Sequence, residues 1–270
     1  MKIIDSFVFN NELEILDLRL NILSEVVDYY ILVEADHTQS LIPKPFYFEE
    51  NKLNFKSFSD KIIHIKVADC PESNSHNWEM ENFQRNCIIR GIVKLSFLKN
   101  DDILLVSDVD EIPNLNNENL QILKNMKNLI SFEMDYNPFY VNLCTQNKKW
   151  IGTIATIIEN LKYVTPQKLR DIKNNVDIIK NGGNHFGYSG GKNKIYQKFF
   201  SCIEPYDKSK IPDFNSFSKE FDRKIKDGGS FLFSDKNDDS IKLIKYDESK
   251  LPKYLIENKE KFKHLFYESK

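Results

Sequence analysis

Asp108, Asp110 and Glu111 place three carboxylates within four positions, directly after the apolar run Ile103 to Val106. Like charges this close repel and raise one another's pKa unless a cation or hydrogen-bond donors compensate, so the cluster points to a bound ion. In an extended segment, residues two apart share a side: Asp108 and Asp110 would face one way and Val109 the other, into the core. Oxygen ligands with no Cys or His adjacent favour Mg²⁺ or Mn²⁺ over zinc. Held by Asp108 and Asp110, such an ion would offset the charge that builds on a leaving nucleoside diphosphate, which is sugar-nucleotide chemistry. A plainer reading stays open, because acids after a strand often solvate a turn or cap the next helix, here at residues 114–117. No G-x-x-x-x-G-K-[ST] segment is present, and no G-x-G-x-x-G follows a strand, which argues against a P-loop or dinucleotide site.

The elements that must position these acids alternate along the N-terminal half. Residues 2–9 read as a strand, and Asn11 as a cap for a helix in which Leu13, Leu16, Leu20, Leu23 and Val27 form one buried stripe, with Arg19 beside it. Strands follow at 29–33, ending at Glu34, at 62–67 and at 103–106, with a proline-broken surface excursion at 40–45 and a helix over 79–97 between them. That succession implies parallel β-α-β units with right-handed crossovers, and ligands bind beyond the carboxyl ends of such strands. After Pro113 the spacing predicts a helix over 114–127, longer and partly antiparallel strands over 130–143 and 150–158, and helices over 195–203 and 216–226. Gly182-Gly183 and Gly190-Gly191 frame His185 in what reads as a flexible loop lining a site.

Composition narrows the class. The chain has 270 residues, 41% of them hydrophobic, and Lys+Arg 38 against Asp+Glu 40 leaves a net charge of -2. One large or two small globular domains fit, general disorder does not, and nucleic acid is not expected as a partner without a basic excess. Apolar runs fall far short of the ~20 residues of a membrane helix, so no transmembrane segment is expected. An acidic Asp5 interrupts any secretory leader, which makes cytoplasmic the expected location, peripheral to a membrane only through the acceptor. Cys70, Cys87, Cys144 and Cys202 lie far apart and read as reduced thiols.

Several segments, in order along nearly the whole chain, resemble glycosyltransferase family 17: residues 11–19, 26–34, Phe83-Gln84-Arg85-Asn86, 107–113, Gly183-Asn184-His185-Phe186, 195–199, 223–231 and 251–255. The resemblance implies a GT-A-like α/β fold, a central mixed, mostly parallel sheet flanked by helices. It also implies inverting transfer of GlcNAc from UDP-GlcNAc to a glycan hydroxyl, on a cell-surface polysaccharide or a glycoprotein glycan, with Mn²⁺ or Mg²⁺. It fits one domain over 1–270, with a nucleotide-binding half at 1–113 and an acceptor half with C-terminal helices at 114–270. The family generally carries Trp before the histidine, where Asn184 stands here.

Roles follow as expectations. Asp108 and Asp110 hold the metal. Glu34, at a strand end, contacts ribose or uracil or is simply solvated, and Arg85 pairs with the diphosphate or with an acid of the cluster. His185 contacts pyrophosphate or metal, and Trp150 and Tyr188 offer sugar-stacking faces or belong to the core. Inversion needs a carboxylate to take the acceptor's proton, for which Glu111 is the choice over Asp135; Asp110 stands with Glu111 as a catalytic residue. Asp135 ends another strand, and Lys44 faces a phosphate or sits on a solvated loop. His37, His64, His76 and His264 read as ordinary polar residues. Another metal-dependent nucleotidyl or phosphoryl transferase, and a non-catalytic glycan- or nucleotide-binding module, are the alternatives.

Overall fold

A computed structural model describes residues 1–71, 78–201, 211–229 and 242–268; His76 and Cys202 lie outside them. The first apolar run is strand β1 (Ile3–Phe9), followed by helix α1 (Leu13–Leu23). Strand β2 (Tyr29–Ala35) pairs parallel with β1, and β3 (Ile62–Val67) parallel with β2. Strand β4 (Ile103–Asp108) joins the other edge of β1, again parallel, giving the order β3-β2-β1-β4. These strands are apolar almost throughout because both faces of the sheet are covered. Tyr30 and Leu32 pack with Leu16 and Leu20 of α1, while Ile31 and Val33 pack with Ile88 and Leu95 on the opposite face.

Local chemistry moves several boundaries. Asn11 does not cap α1: Glu12 occupies the cap position and its carboxylate accepts the Asn10 and Asn11 amides at 3.1 and 3.0 Å. A short helix α2 (Tyr47–Asn51) precedes β3. The single helix expected over 79–97 is two, α3 (Glu79–Asn86) and α4 (Ile88–Lys94), bent at Cys87, and the second ends where Leu95 leaves helical geometry.

Beyond β4 the sheet becomes mixed. Strand β5 (Glu111–Pro113) leads to α5 (Asn117–Lys124), which is capped by Asn116 accepting the Asn119 amide at 2.8 Å and is shorter than 114–127. The long strand expected over 130–143 is broken into β6 (Ile130–Tyr136) and β7 (Leu143–Thr145), because Pro138 supplies no ladder donor and Phe139 turns with φ 70°. Strand β8 (Lys149–Ile157) runs antiparallel to both β4 and β6. Helix α6 (Pro166–Asp171) starts on a Thr165 cap. Strands β9 (Asp177–Ile179) and β10 (Gly183–His185) pair parallel with β6, so part of the expected glycine-framed loop is a strand.

Strand β10 also pairs antiparallel with β5. Gly183 permits that contact: its φ is +124°, and a Cβ there would sit 2.1 Å from the Ile112 carbonyl oxygen. Helices α7 (Lys192–Ser201) and α8 (Phe214–Lys226) close a third core around Phe199, Phe217 and Phe221, and β11 (Leu243–Lys245) pairs with β7. Helix α9 (Lys253–Glu257) and the following chain place Leu255, Phe262 and Leu265 in the core that contains α1. The result is an α/β fold on a mixed, mostly parallel sheet flanked by helices, the architecture that the family resemblance implies. Among the described residues, no helix is long and apolar enough to cross a membrane.

Candidate active site

Strand β4 ends at Asp108, and Val109 and Asp110 form a turn into β5, so the acids straddle a turn rather than an extended run. Arg19 holds that turn from behind. It is fully buried, grips Asp5 through Nε at 2.7 Å and Nη2 at 2.6 Å, and donates to Ser107 Oγ at 2.6 Å. Its Nη1 donates to the carbonyls of Asp108, Val109 and Glu111 at 3.1, 3.2 and 2.7 Å. A guanidinium fork satisfies the carboxylate and the turn carbonyls together, which fixes where the acidic side chains emerge. Helical periodicity predicts Arg19 beside the stripe; the buried Asp5 in β1 is the one sequence sign that Arg19 turns inward.

On the front, Asp108 Oδ1 accepts from Arg85 at 2.8 Å and Oδ2 from Arg170 at 3.1 Å. Burial alone would raise the Asp108 carboxyl pKa, but the two guanidiniums outweigh it and hold it far below the usual range. Arg85 therefore meets an acid of the cluster, and also Glu81 at 2.5 Å. On Glu81 burial wins, and its pKa is raised. Asp110 lies 3.3 Å from Lys198 and 3.5 Å from His185, which overcome burial and keep it ionised.

Glu111, the choice for proton acceptor, is enclosed by donors. It is fully buried, Arg170 grips it at 2.7 and 2.8 Å, Trp150 Nε1 donates to it at 2.6 Å and the Asp108 amide at 3.1 Å. Burial opposes its charge, and Arg170 and Lys173 more than restore it. Its oxygens are so engaged, and Glu111 is not among the residues that line the cleft; it orients Arg170 and Trp150.

Asp108 and Asp110 open into a cleft of about 740 Å³ at the carboxyl ends of β1, β2 and β4. Asn10, His37, Thr38 and Gln39 line one end. At the other, the His185 ring stacks 4.9 Å from Tyr136 and lies tilted 4.6 Å from Trp150, forming an aromatic wall. Tyr188 also lines the cleft, but is buried and packs on Phe139 and Phe199 of the third core. Asn184, one position before His185 in β10, faces away and donates to Asn137 at 2.9 Å and Tyr246 at 3.3 Å, so an aromatic ring there would not point into the cleft.

Glu34 does not reach the cleft. It is fully buried and paired with Lys44 at 3.3 Å, His64 at 3.1 Å and the Phe48 amide at 3.2 Å. Lys44 is accordingly neither solvated nor bare: its side chain is 4% exposed, at the cleft floor. Asp135 faces away and accepts from Tyr246 at 2.5 Å and from Lys149. Lys198 lies in the family-like segment 195–199, whereas Arg170 and Lys173 carry no local motif and only the folded chain reveals them at the site.

The family model described as glycosyltransferase family 17 matches residues 1–220. β-1,4-Mannosyl-glycoprotein 4-β-N-acetylglucosaminyltransferases of Rattus norvegicus and Homo sapiens are each 28% identical over 116 residues, 42% of this chain and 22% of theirs. The match thus spans about a fifth of the length of those relatives. A mannosyltransferase from Pyrobaculum calidifontis, solved in complex with GDP-Man and Mn²⁺, aligns with a TM-score of 0.41 at 10% identity, covering 85% of this chain and 76% of that one.

Proposed function

Because the chain belongs to glycosyltransferase family 17, we propose that it moves a sugar, GlcNAc, from a UDP-sugar to a glycan hydroxyl with inversion at the anomeric carbon. One observation carries the proposal: Asp108 and Asp110, both held ionised, face a cleft of about 740 Å³ with cationic side chains beside them and an aromatic wall at one end. That volume lies within the roughly 300–1,000 Å³ of ligand sites.

The donor set fits Mn²⁺ or Mg²⁺. Such ions take oxygen ligands and bind through one or two carboxylates plus substrate phosphates. Among the described residues no three His, Cys, Asp or Glu side chains are grouped to hold a metal, so Asp108 and Asp110 would supply the protein's share. Once bound, the cation would supply charge neutralisation for the departing diphosphate. The charges that line the cleft are near balance, with Glu12, Glu81, Asp108, Asp110 and Asp171 against Lys44, Arg85, Lys148, Arg170, Lys173 and Lys198. A dianionic donor therefore suits entry together with a divalent cation.

The halves of the chain divide the work. Residues 1–113 supply Asn10, Thr38 and the acidic turn for the nucleotide, and 114–270 supply Tyr136, Trp150 and His185 for sugar. Aromatic faces suit the apolar side of a pyranose. The Asp110–His185 pair stands beside that wall, where the acceptor hydroxyl must shed its proton.

The test is a panel of UDP-sugars and nucleoside triphosphates, each with Mn²⁺ and with glycan acceptors. UDP release from UDP-GlcNAc that quickens with an acceptor is the expected result. Turnover of triphosphates instead would favour a nucleotidyl or phosphoryl transferase, and binding without turnover a non-catalytic module.

A further inference from the structure

Lys173 follows α6, outside every segment whose residues suggest chemistry by themselves. Its side chain is 15% exposed and lines the cleft. The ammonium lies 4.7 Å from the centre of the Trp150 ring and 3.7 Å from Glu111 Oε1, beyond hydrogen-bond distance. That oxygen already accepts from Trp150 at 2.6 Å and Arg170 at 2.8 Å. Lys173 is thus a largely desolvated cation whose nearest carboxylate is satisfied by closer donors. Burial pushes its pKa down, and Glu111 only partly restores it. A buried charge is unfavourable unless an anion completes its surroundings. The neighbouring guanidiniums are committed, Arg85 to Glu81 and Asp108, and Arg170 to Asp108, Glu111 and the Gly152 carbonyl.

We propose that Lys173 contacts the β-phosphate of the sugar nucleotide and takes up the charge that appears there on transfer. The inference rests on the transferase reading above. In that reaction the acceptor oxygen bonds to the anomeric carbon and the bond from that carbon to the β-phosphate oxygen breaks. The electron pair leaves with the phosphate, and the hydroxyl proton passes by the Asp110–His185 pair to solvent. The diphosphate gains one negative charge as the bond breaks. An ammonium already fixed against Trp150 meets that charge without reorganising, so its contact strengthens toward the transition state. The ammonium's place over the Trp150 ring makes Lys173 the geometric link between the acidic turn and the aromatic wall.

The test compares wild type with Lys173→Met, which keeps the stem's packing and drops the charge, using calorimetric titration of UDP and of UMP in the same Mn²⁺ buffer. The expected result is UDP affinity about tenfold or more weaker with UMP affinity within about twofold, and kcat for UDP-GlcNAc falling more than KM rises. Lys173→Arg should recover part of the UDP affinity. A merely structural lysine would weaken UDP and UMP alike, or leave both unchanged, and either result overturns the inference. Wild type that neither binds UDP nor turns over a sugar nucleotide overturns the transferase reading and this inference together; a K173M variant that keeps wild-type kcat and UDP affinity overturns the inference alone.

Discussion

Arg85 and Arg170 keep Asp108 charged, and Arg170 with Lys173 keeps the fully buried Glu111 charged. Removing one partner of a buried pair leaves an uncompensated charge, at a cost of about 3–5 kcal/mol. Arg170→Ala strands Glu111, which is 0% exposed, and should lower the melting temperature by roughly 10 °C, read by calorimetry. Asp110→Ala differs, because its partner Lys198 is 28% exposed and can hydrate. That variant should keep its melting temperature within about 3 °C, since little uncompensated charge remains buried, and lose turnover by roughly a thousandfold or more. At this scale the contiguous acids are legible from sequence, because their crowding needs an explanation wherever the chain folds. Arg170 is not: it lies 62 positions from Asp108, and only the packing of α6 brings it there.

Strands with a dense apolar run announce themselves, and β2, β3 and β8 fall within a residue or two of where their hydrophobic runs predict. Short elements do not. Strand β10 has three residues, two of them polar, and its place in the sheet is set by pairing with β5 and β6 and not by its own pattern. Cys87 likewise bends a segment whose apolar period runs on without interruption. The pairing of β10 depends on Gly183: any side chain there must strain φ and displace the Ile112 carbonyl. Gly183→Ala should destabilise by about 2–3 kcal/mol, lower the melting temperature and, because β10 carries His185 and β5 carries Glu111, reduce turnover as well.

Over the whole molecule, one cleft gathers side chains from both halves of the chain, and its charges tie stability to pH. Asp108, Asp110 and Glu111 all have folded-state pKa values below the ordinary carboxylate range, so the unfolded chain binds protons more readily at these positions. Their contribution is present above pH about 4 and is lost as pH falls through the folded values. Glu81 is shifted the other way, so its contribution is lost as pH rises, and three groups outweigh one. The melting temperature should fall steadily below pH 4, and the Glu111→Gln variant should show a shallower fall.

Calorimetric titration of UDP into the wild-type protein, once with Mn²⁺ and once with EDTA, addresses the central claim most directly, because it asks whether Asp108 and Asp110 bind nucleotide through a cation. Binding with Mn²⁺ at least about tenfold tighter than with EDTA, with the difference abolished in Asp108→Asn and in Asp110→Asn, is the predicted result. Equal affinity in the two buffers, or a metal effect that persists in both variants, would contradict it.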